Sequence, residues 1–122
     1  MRVFAQRSDT GTQPATSAVG NLRKREEEAG MRTLAFYADF QPRAEAVKDD
    51  LLSFLIQARR EGKRVAAYGA AAKGNTLLNF AGVRSDLIRM VADKNPAKQG
   101  KYMPGSRIPI LLPDEVLATR PD

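Results

Sequence analysis

The stretch Lys63-Arg-Val-Ala-Ala-Tyr-Gly-Ala-Ala-Ala-Lys-Gly-Asn-Thr-Leu-Leu-Asn79 decides the fold. Lys63 to Tyr68 reads as a short buried strand, Gly69 to Gly74 as a turn of small residues, and Asn75 to Ala81 as a helix that Gly82 stops. A second apolar run, Leu87-Ile-Arg-Met-Val-Ala92, ends in Asp93. Strand, glycine-containing turn, helix and strand in that order spell a right-handed βαβ unit.

Upstream, Ala44, Val47, Leu51, Phe54, Leu55 and Ala58 recur at helical spacing between Pro42 and Glu61, which predicts a helix with one stripe toward a core. Pro42 suits the first turn of that helix, after a bend near Gln41 that follows the apolar cluster Leu34, Phe36, Tyr37 and Phe40. Ala18 to Ala29 favours a helix but offers only Val19, Leu22 and Ala29 as apolar contacts, so the expectation is a solvated helix capped by Gly30. Arg2-Val-Phe-Ala-Gln6 reads as a short strand and Ser8 to Ser17 as a flexible loop. Downstream, Lys94 to Gly105 is a loop by composition, and Arg107-Ile-Pro-Ile-Leu-Leu112 is a strand whose pairing Pro109 limits. Pro113 to Ala118 starts a helix with acidic residues in its first turn. The expected organisation is a single domain over 1–122, with strand and loop over 1–17, helices over 18–61 and the βαβ core over 62–122.

A chain of 122 residues, 43% apolar, suffices for one core. Lys and Arg number 20 against 14 Asp and Glu, a formal +6, so a ligand attracted over distance is anionic. Residues 1–61 hold 10 basic and 9 acidic side chains and residues 62–122 hold 10 and 5, which places the attraction in the second half. Cys and His are both absent, which removes thiolate nucleophiles, disulfides, imidazole bases and Cys/His metal sites. No stretch approaches the roughly 20 apolar residues of a membrane helix, and Met1 to Arg7 lacks the apolar run of a signal peptide, so the chain is expected to be cytoplasmic with no membrane partner. Nucleic acid is not an expected partner, because the eight aromatics fall mostly at core-like positions and only Tyr102 neighbours a basic loop.

In a parallel α/β sheet, ligands sit outside the carboxyl ends of the strands, and the turn from a first strand into a helix is where backbone N–H groups hold a phosphate. Gly69 to Asn75 occupies that turn. Gly69 and Gly74 permit close approach and positive φ, and Ala70, Ala71 and Ala72 leave room for a ligand. Lys73 opposes the helix dipole unless an anion bridges the two; its alternative is to point into water, and the residues leave both readings open. The spacing is neither GxxxxGKS/T, since Lys73 precedes Gly74, nor GxGxxG. Asp93 stands where a Rossmann unit places an acid on a ribose hydroxyl, and equally where a solvated carboxylate or a cap for the Asn95-Pro96 turn would stand. Lys98, Gln99, Lys101 and Tyr102 form a basic loop that could close over a phosphate or a base, or be a surface turn.

Three blocks carry a resemblance to a known family: Val65-Ala-Ala-Tyr-Gly-Ala-Ala-Ala-Lys-Gly-Asn-Thr-Leu-Leu-Asn79, Val91-Ala-Asp-Lys-Asn-Pro-Ala-Lys-Gln-Gly-Lys-Tyr-Met-Pro-Gly105 and Ile108-Pro-Ile110. With Arg2-Val-Phe4 added, nearly the whole chain resembles the C-terminal domain of S-adenosylmethionine-dependent sugar C-methyltransferases, which act on nucleotide-linked keto-deoxysugars. The resemblance implies an α/β fold, a Rossmann-like three-layer sandwich with a mostly parallel sheet preceded by N-terminal helices. For the full-length family it implies a cysteine zinc module, a central S-adenosylmethionine domain and a nucleotide-sugar held between domains. By that analogy Gly69, Ala70, Lys73, Gly74 and Asn75 form the phosphate-side loop, and Asp93, Asn95, Lys98 and Tyr102 are nucleotide or sugar contacts. All nine are binding candidates and none is catalytic, because the base and the methyl donor belong to the central domain.

The chain departs from that pattern in having neither the zinc module nor the S-adenosylmethionine domain, and in ending at Arg120-Pro-Asp122 where relatives run on into a further strand. The core is therefore expected to be incomplete at its C-terminal end, with an exposed sheet edge. No cofactor is expected on this chain, S-adenosylmethionine and zinc belonging to the full-length family, and no methyl transfer is expected from it alone. Its expected role is to position a nucleotide-sugar, with a methyltransferase domain supplied by another chain. The alternative is a vestigial or partner-dependent interaction domain without a ligand, and the open edge offers a route to a homodimer.

Overall fold

The computed structural model describes residues 2–122. The chain forms two compact units, one ending at Phe40 and the other running from Gln41 to Asp122.

In the first unit, α1 (Ser17–Glu28) buries none of its residues, in keeping with its solvated composition. It ends as a Schellman motif: the Gly30 N–H donates to Glu27 C=O (2.9 Å) and the Met31 N–H to Glu26 C=O (3.1 Å). A 3-10 helix follows over Leu34–Tyr37, with the Tyr37 hydroxyl donating to Met31 C=O at 2.8 Å. The strand expected over Arg2–Gln6 does not form. Residues 2–7 carry no regular structure, Val3 and Phe4 stand exposed, and the chain turns back at once through the Gly11 N–H to Arg7 C=O. A lone strand gains nothing without a neighbouring edge, and the described residues of this unit offer none. The bend expected near Gln41 falls instead at Ala38 and Asp39, and Gln41 already lies within the next helix.

The second unit is built on α2 (Phe40–Arg60), β1 (Ala67–Tyr68), α3 (Ala72–Phe80), β2 (Val91–Ala92), β3 (Ile110–Leu111) and α4 (Pro113–Ala118). Its core gathers Leu55, Leu78, Val83, Ile88, Val91, Met103, Ile108 and Ile110, with Leu51, Leu52, Val65 and Leu87 packed against them. The stripe read on α2 is only half right. Leu55 is 1% exposed and Ala58 is buried, but Val47 and Phe54 are 54% and 62% exposed. Those two positions are seven residues apart, on the flank of a stripe wider than the core it meets; Leu51, Leu52, Leu55 and Ala58 make the inward face. Both α2 and α3 end on Schellman motifs at Gly62 (φ +74) and Gly82 (φ +68), the second sealed by buried Leu78 and Val83.

The sheet is parallel throughout, in the order β1-β2-β3, with Ala67 opposite Val91 and Val91 opposite Ile110. Three strands at the expected places, a helix between the first two and parallel pairing establish an α/β fold. Hydrogen bonds reach beyond the strand ends: the Arg89 N–H donates to Val65 C=O, the Gly69 N–H to Ala92 C=O and the Asp93 N–H to Leu111 C=O. Pro109 keeps its carbonyl in the ladder, accepting from the Val91 N–H at 2.9 Å. The segment read as loop over Lys94–Gly105 does more than connect. Ile110 exchanges bonds with this return stretch, the Gly100 N–H donating to Ile110 C=O and the Ile110 N–H to Lys101 C=O, and the Met103 N–H reaches Ile108 C=O. The outer edge of β3 is thus covered. At the outer edge of β1, Arg64 pairs with Asp122 through its N–H to the Asp122 carboxylate (2.8 Å) and its C=O from the Asp122 N–H (3.1 Å).

The inward face of α2 gives a direct test. Leu55→Ala should cost about 2–5 kcal/mol in urea unfolding, whereas Phe54→Ala should cost under about 1 kcal/mol. Equal losses would contradict the face described.

Candidate functional site

The carboxyl ends of β1 and β2 lie side by side, and the candidate residues divide there into two groups. Gly69, with φ +91, turns the chain out of β1, and a side chain at that position would enter open space. The helix expected from Asn75 begins three residues earlier, at Ala72, because the alanine run is itself strongly helix-forming. Lys73 and Gly74 therefore belong to the first turn of α3 rather than to a loop, and Gly74 does not use the positive φ that glycine permits. Ala71 caps the helix with extended backbone and no side-chain bond, so no capping side chain takes up the first-turn N–H groups. Lys73 is exposed on that turn, and no ion pair engages it among the described residues.

The second group is bound together. Asp93 ends β2 with a buried carboxylate: Oδ1 accepts from the Asn95 N–H at 2.8 Å, and Oδ2 from the Ala70 N–H at 2.7 Å and Lys98 Nζ at 3.2 Å. Lys98 Nζ also donates to Ala70 C=O at 2.8 Å, and Gln99 Nε2 to Asp93 C=O at 2.9 Å. Of the two roles left open for Asp93, capping of the Asn95-Pro96 turn is visible in this geometry. Asn95 in turn accepts the Ala97 N–H on its side-chain oxygen. Asn75 is partly buried, with its Oδ1 enclosed and without a hydrogen-bond partner. Tyr102 is not drawn into either group; it sits on the outer edge of β3, bridged to Pro109.

Sequence spacing does not disclose the contacts that join Asn79 and Arg84 to Pro104 and Gly105. Asn79 Nδ2 donates to Pro104 C=O at 2.9 Å, Arg84 Nη1 donates to Gly105 C=O at 2.7 Å, and a β-carbon at Gly105 (φ +78) would collide with the Asn79 amide. These contacts seat the turn over Met103–Arg107 on the C-terminal half of α3. The one trace of them in residue order is that Asn79 and Pro104-Gly105 close the two long sequence blocks.

Two cavities, of about 230 and 250 Å³, lie away from these residues. The first is lined by Arg64, Val65, Arg89, Met90 and Thr119 at the amino ends of β1 and β2. The second lies between Phe54, Ala58 and Val65. The carboxyl-end site is an open surface, with Gly69, Ala71, Ala72, Lys73 and Gly74 all exposed.

With this geometry in place, comparison with known proteins is decisive. The family described as the C-methyltransferase C-terminal domain matches residues 1–122. The chain belongs to that family. It is also 36% identical over 105 residues to the C-methyltransferase NovU of Streptomyces niveus, a match that covers 86% of this chain and 25% of that protein. The chain thus spans about a quarter of the length of the curated relative it matches.

Membership in a C-methyltransferase family raises the question of a metal. The described residues contain no group of three His, Cys, Asp or Glu side chains that could hold an ion, and the sequence has neither Cys nor His, so the residues present do not fit zinc. No helix of the described residues is long and apolar enough to cross a membrane.

The Asn95 N–H bond, followed by the Ala70 N–H and the Lys98 ammonium, holds the Asp93 carboxyl below its ordinary 3.8, against a burial that pushes it up. A carboxyl whose folded value is lowered stabilises the fold above its unfolded value, and that contribution drains away as the pH falls toward the folded one. Urea unfolding between about pH 5 and pH 3 should therefore show a steeper loss for the natural chain than for Asp93→Asn, which is the less stable of the two at pH 7. Parallel pH profiles would mean that the carboxylate is not engaged.

Proposed function

We propose that this chain is the substrate-side domain of a sugar C-methyltransferase, holding the diphosphate of a nucleotide-linked keto-deoxysugar at the first turn of α3. The observation that carries the reading is Lys73. A cation on the first turn of a helix is repelled by the positive end of the helix dipole, and its placement becomes favourable when an anion lies between them. Gly69 leaves the approach open, the N–H groups of the first turn lack intrahelical acceptors, and the excess positive charge of residues 62–122 draws anions to this unit.

The proposed division of labour follows from the part of the relative that this chain matches. With about a quarter of its relative's length, this chain supplies positioning of the sugar, and the parts that bind S-adenosylmethionine and carry the base are supplied by a methyltransferase domain on another chain or segment. An open carboxyl-end surface suits a substrate closed over by such a partner. S-adenosylmethionine would supply the methyl group to the carbon beside the sugar ketone. A nucleotide-linked substrate also agrees with a cytoplasmic location. A second reading, a partner-dependent interaction domain or homodimer, rests on the outer edge of β1, where Tyr68 is 66% exposed.

Calorimetric titration of the chain with a thymidine-diphosphate keto-deoxysugar separates the two. Saturable micromolar binding, weakened about tenfold by Lys73→Ala and less so at high salt, is the expected result. No heat from a folded chain would favour the interaction-domain reading.

A further inference from the structure

We propose that Asp93 and Lys98 are positioning residues that clamp both peptide groups of Ala70, and that this clamp withdraws Asp93 from reading a ribose diol. The inference rests on the preceding reading only for the identity of the ligand; the clamp itself is a property of the free chain.

Ala70 is the residue that joins the turn at Gly69 to the cap of α3 at Ala71. Its N–H donates to Asp93 Oδ2 and its C=O accepts from Lys98 Nζ, and those two side-chain atoms are bonded to each other. The triangle leaves Ala70 no freedom to rotate either peptide plane without breaking a charge-assisted bond. Because Asp93 and Lys98 lie at the two ends of the Asn95-Pro96 turn, the clamp also fixes where that turn stands against the start of α3. The first-turn N–H groups and Lys73 are thereby aimed by residues that need not touch the ligand.

The same bonds set what the site can recognise. A carboxylate offers about four acceptor positions, and three are filled here, two on Oδ2 and one on Oδ1. Gripping two vicinal hydroxyls takes a free position on each oxygen, and the Asp93 side chain is only 12% exposed. A nucleotide is therefore held by its diphosphate, without discrimination between ribose and deoxyribose. The charge of Lys98 is already balanced by Asp93, so of the two candidate lysines it is Lys73 that adds to the pull residues 62–122 exert on an anion.

Two measurements on the full chain test this. In the free protein, amide exchange followed by ¹⁵N NMR should show Ala70 protected, with protection falling about tenfold or more in Lys98→Met and in Lys98→Gln, and recovering in Lys98→Arg. Unchanged Ala70 protection in both folded variants would overturn the clamp, whether or not any nucleotide binds. Calorimetry with uridine 5′-diphosphate and 2′-deoxyuridine 5′-diphosphate should then give affinities within about twofold of each other. Lys98→Met should weaken both about tenfold with the salt dependence of the natural chain, while Lys73→Met flattens that dependence. A tenfold preference for the ribose form that disappears in Asp93→Asn would overturn the selectivity, and a flattened salt dependence in Lys98→Met would make Lys98 a direct contact. Failure of the natural chain to bind either nucleotide, with Ala70 protection behaving as expected, would remove the ligand assignment and the selectivity together while leaving the clamp standing.

Discussion

The bond network on the Asp93 carboxylate holds together segments that the short strands could not hold alone. Each strand contributes only two residues to the regular ladder, so few backbone bonds fix the angle at which the chain leaves the sheet. Asp93 supplies what is missing, because one buried anion accepts from the turn after β1, from the turn after β2 and from a lysine further along. Its burial is tolerable because those donors replace the water it gives up. At the carboxyl ends of the strands the backbone is thus bonded through Asp93, whereas Lys73 stands exposed on the first turn of α3.

Much of this was legible from residue order. Helical spacing over Pro42–Glu61 and the strand, turn, helix and strand after Lys63 each have their counterparts, because periodicity and helix-stopping glycines are local signals that tertiary contacts rarely overrule. Other features were legible only in part. Residue order shortens α3, because Gly74 is a loop signal whereas the helix already starts at Ala72. Val47 and Phe54 match the period as well as Leu55 does, and only the width of the core decides which of them it receives. Arg2–Gln6 has strand-like composition, yet pairing is a relation between segments, and no single-segment pattern reports whether a partner edge exists. The Asp93 network shows the same limit more sharply: the residue types were all singled out, but which lone pair meets which N–H depends on the register of two strands and a turn.

The stretch between β2 and β3 illustrates how a segment with no helix can still complete a parallel crossover. By folding back along β3 through Gly100–Met103, it satisfies an edge that would otherwise lie bare, and it buries Met103 and Ile108 in the same core as the helices. The two margins of the sheet are therefore unequal. One is sealed by the chain's own return, and among the described residues the other is met by the bonds of Arg64 to Asp122 and Arg120.

The close fit of Gly105 against Asn79 has a consequence for how such chains can diverge. The amide of Asn79 fills the volume that a β-carbon at 105 would need, and it also bonds the carbonyl just before it. A larger residue at 105 requires a smaller one at 79, and that exchange forfeits the bond to Pro104. Positions 79 and 105, though 26 residues apart in the chain, should thus drift as a pair: related sequences that keep one unchanged will keep the other, and those that lose either will have rebuilt the turn.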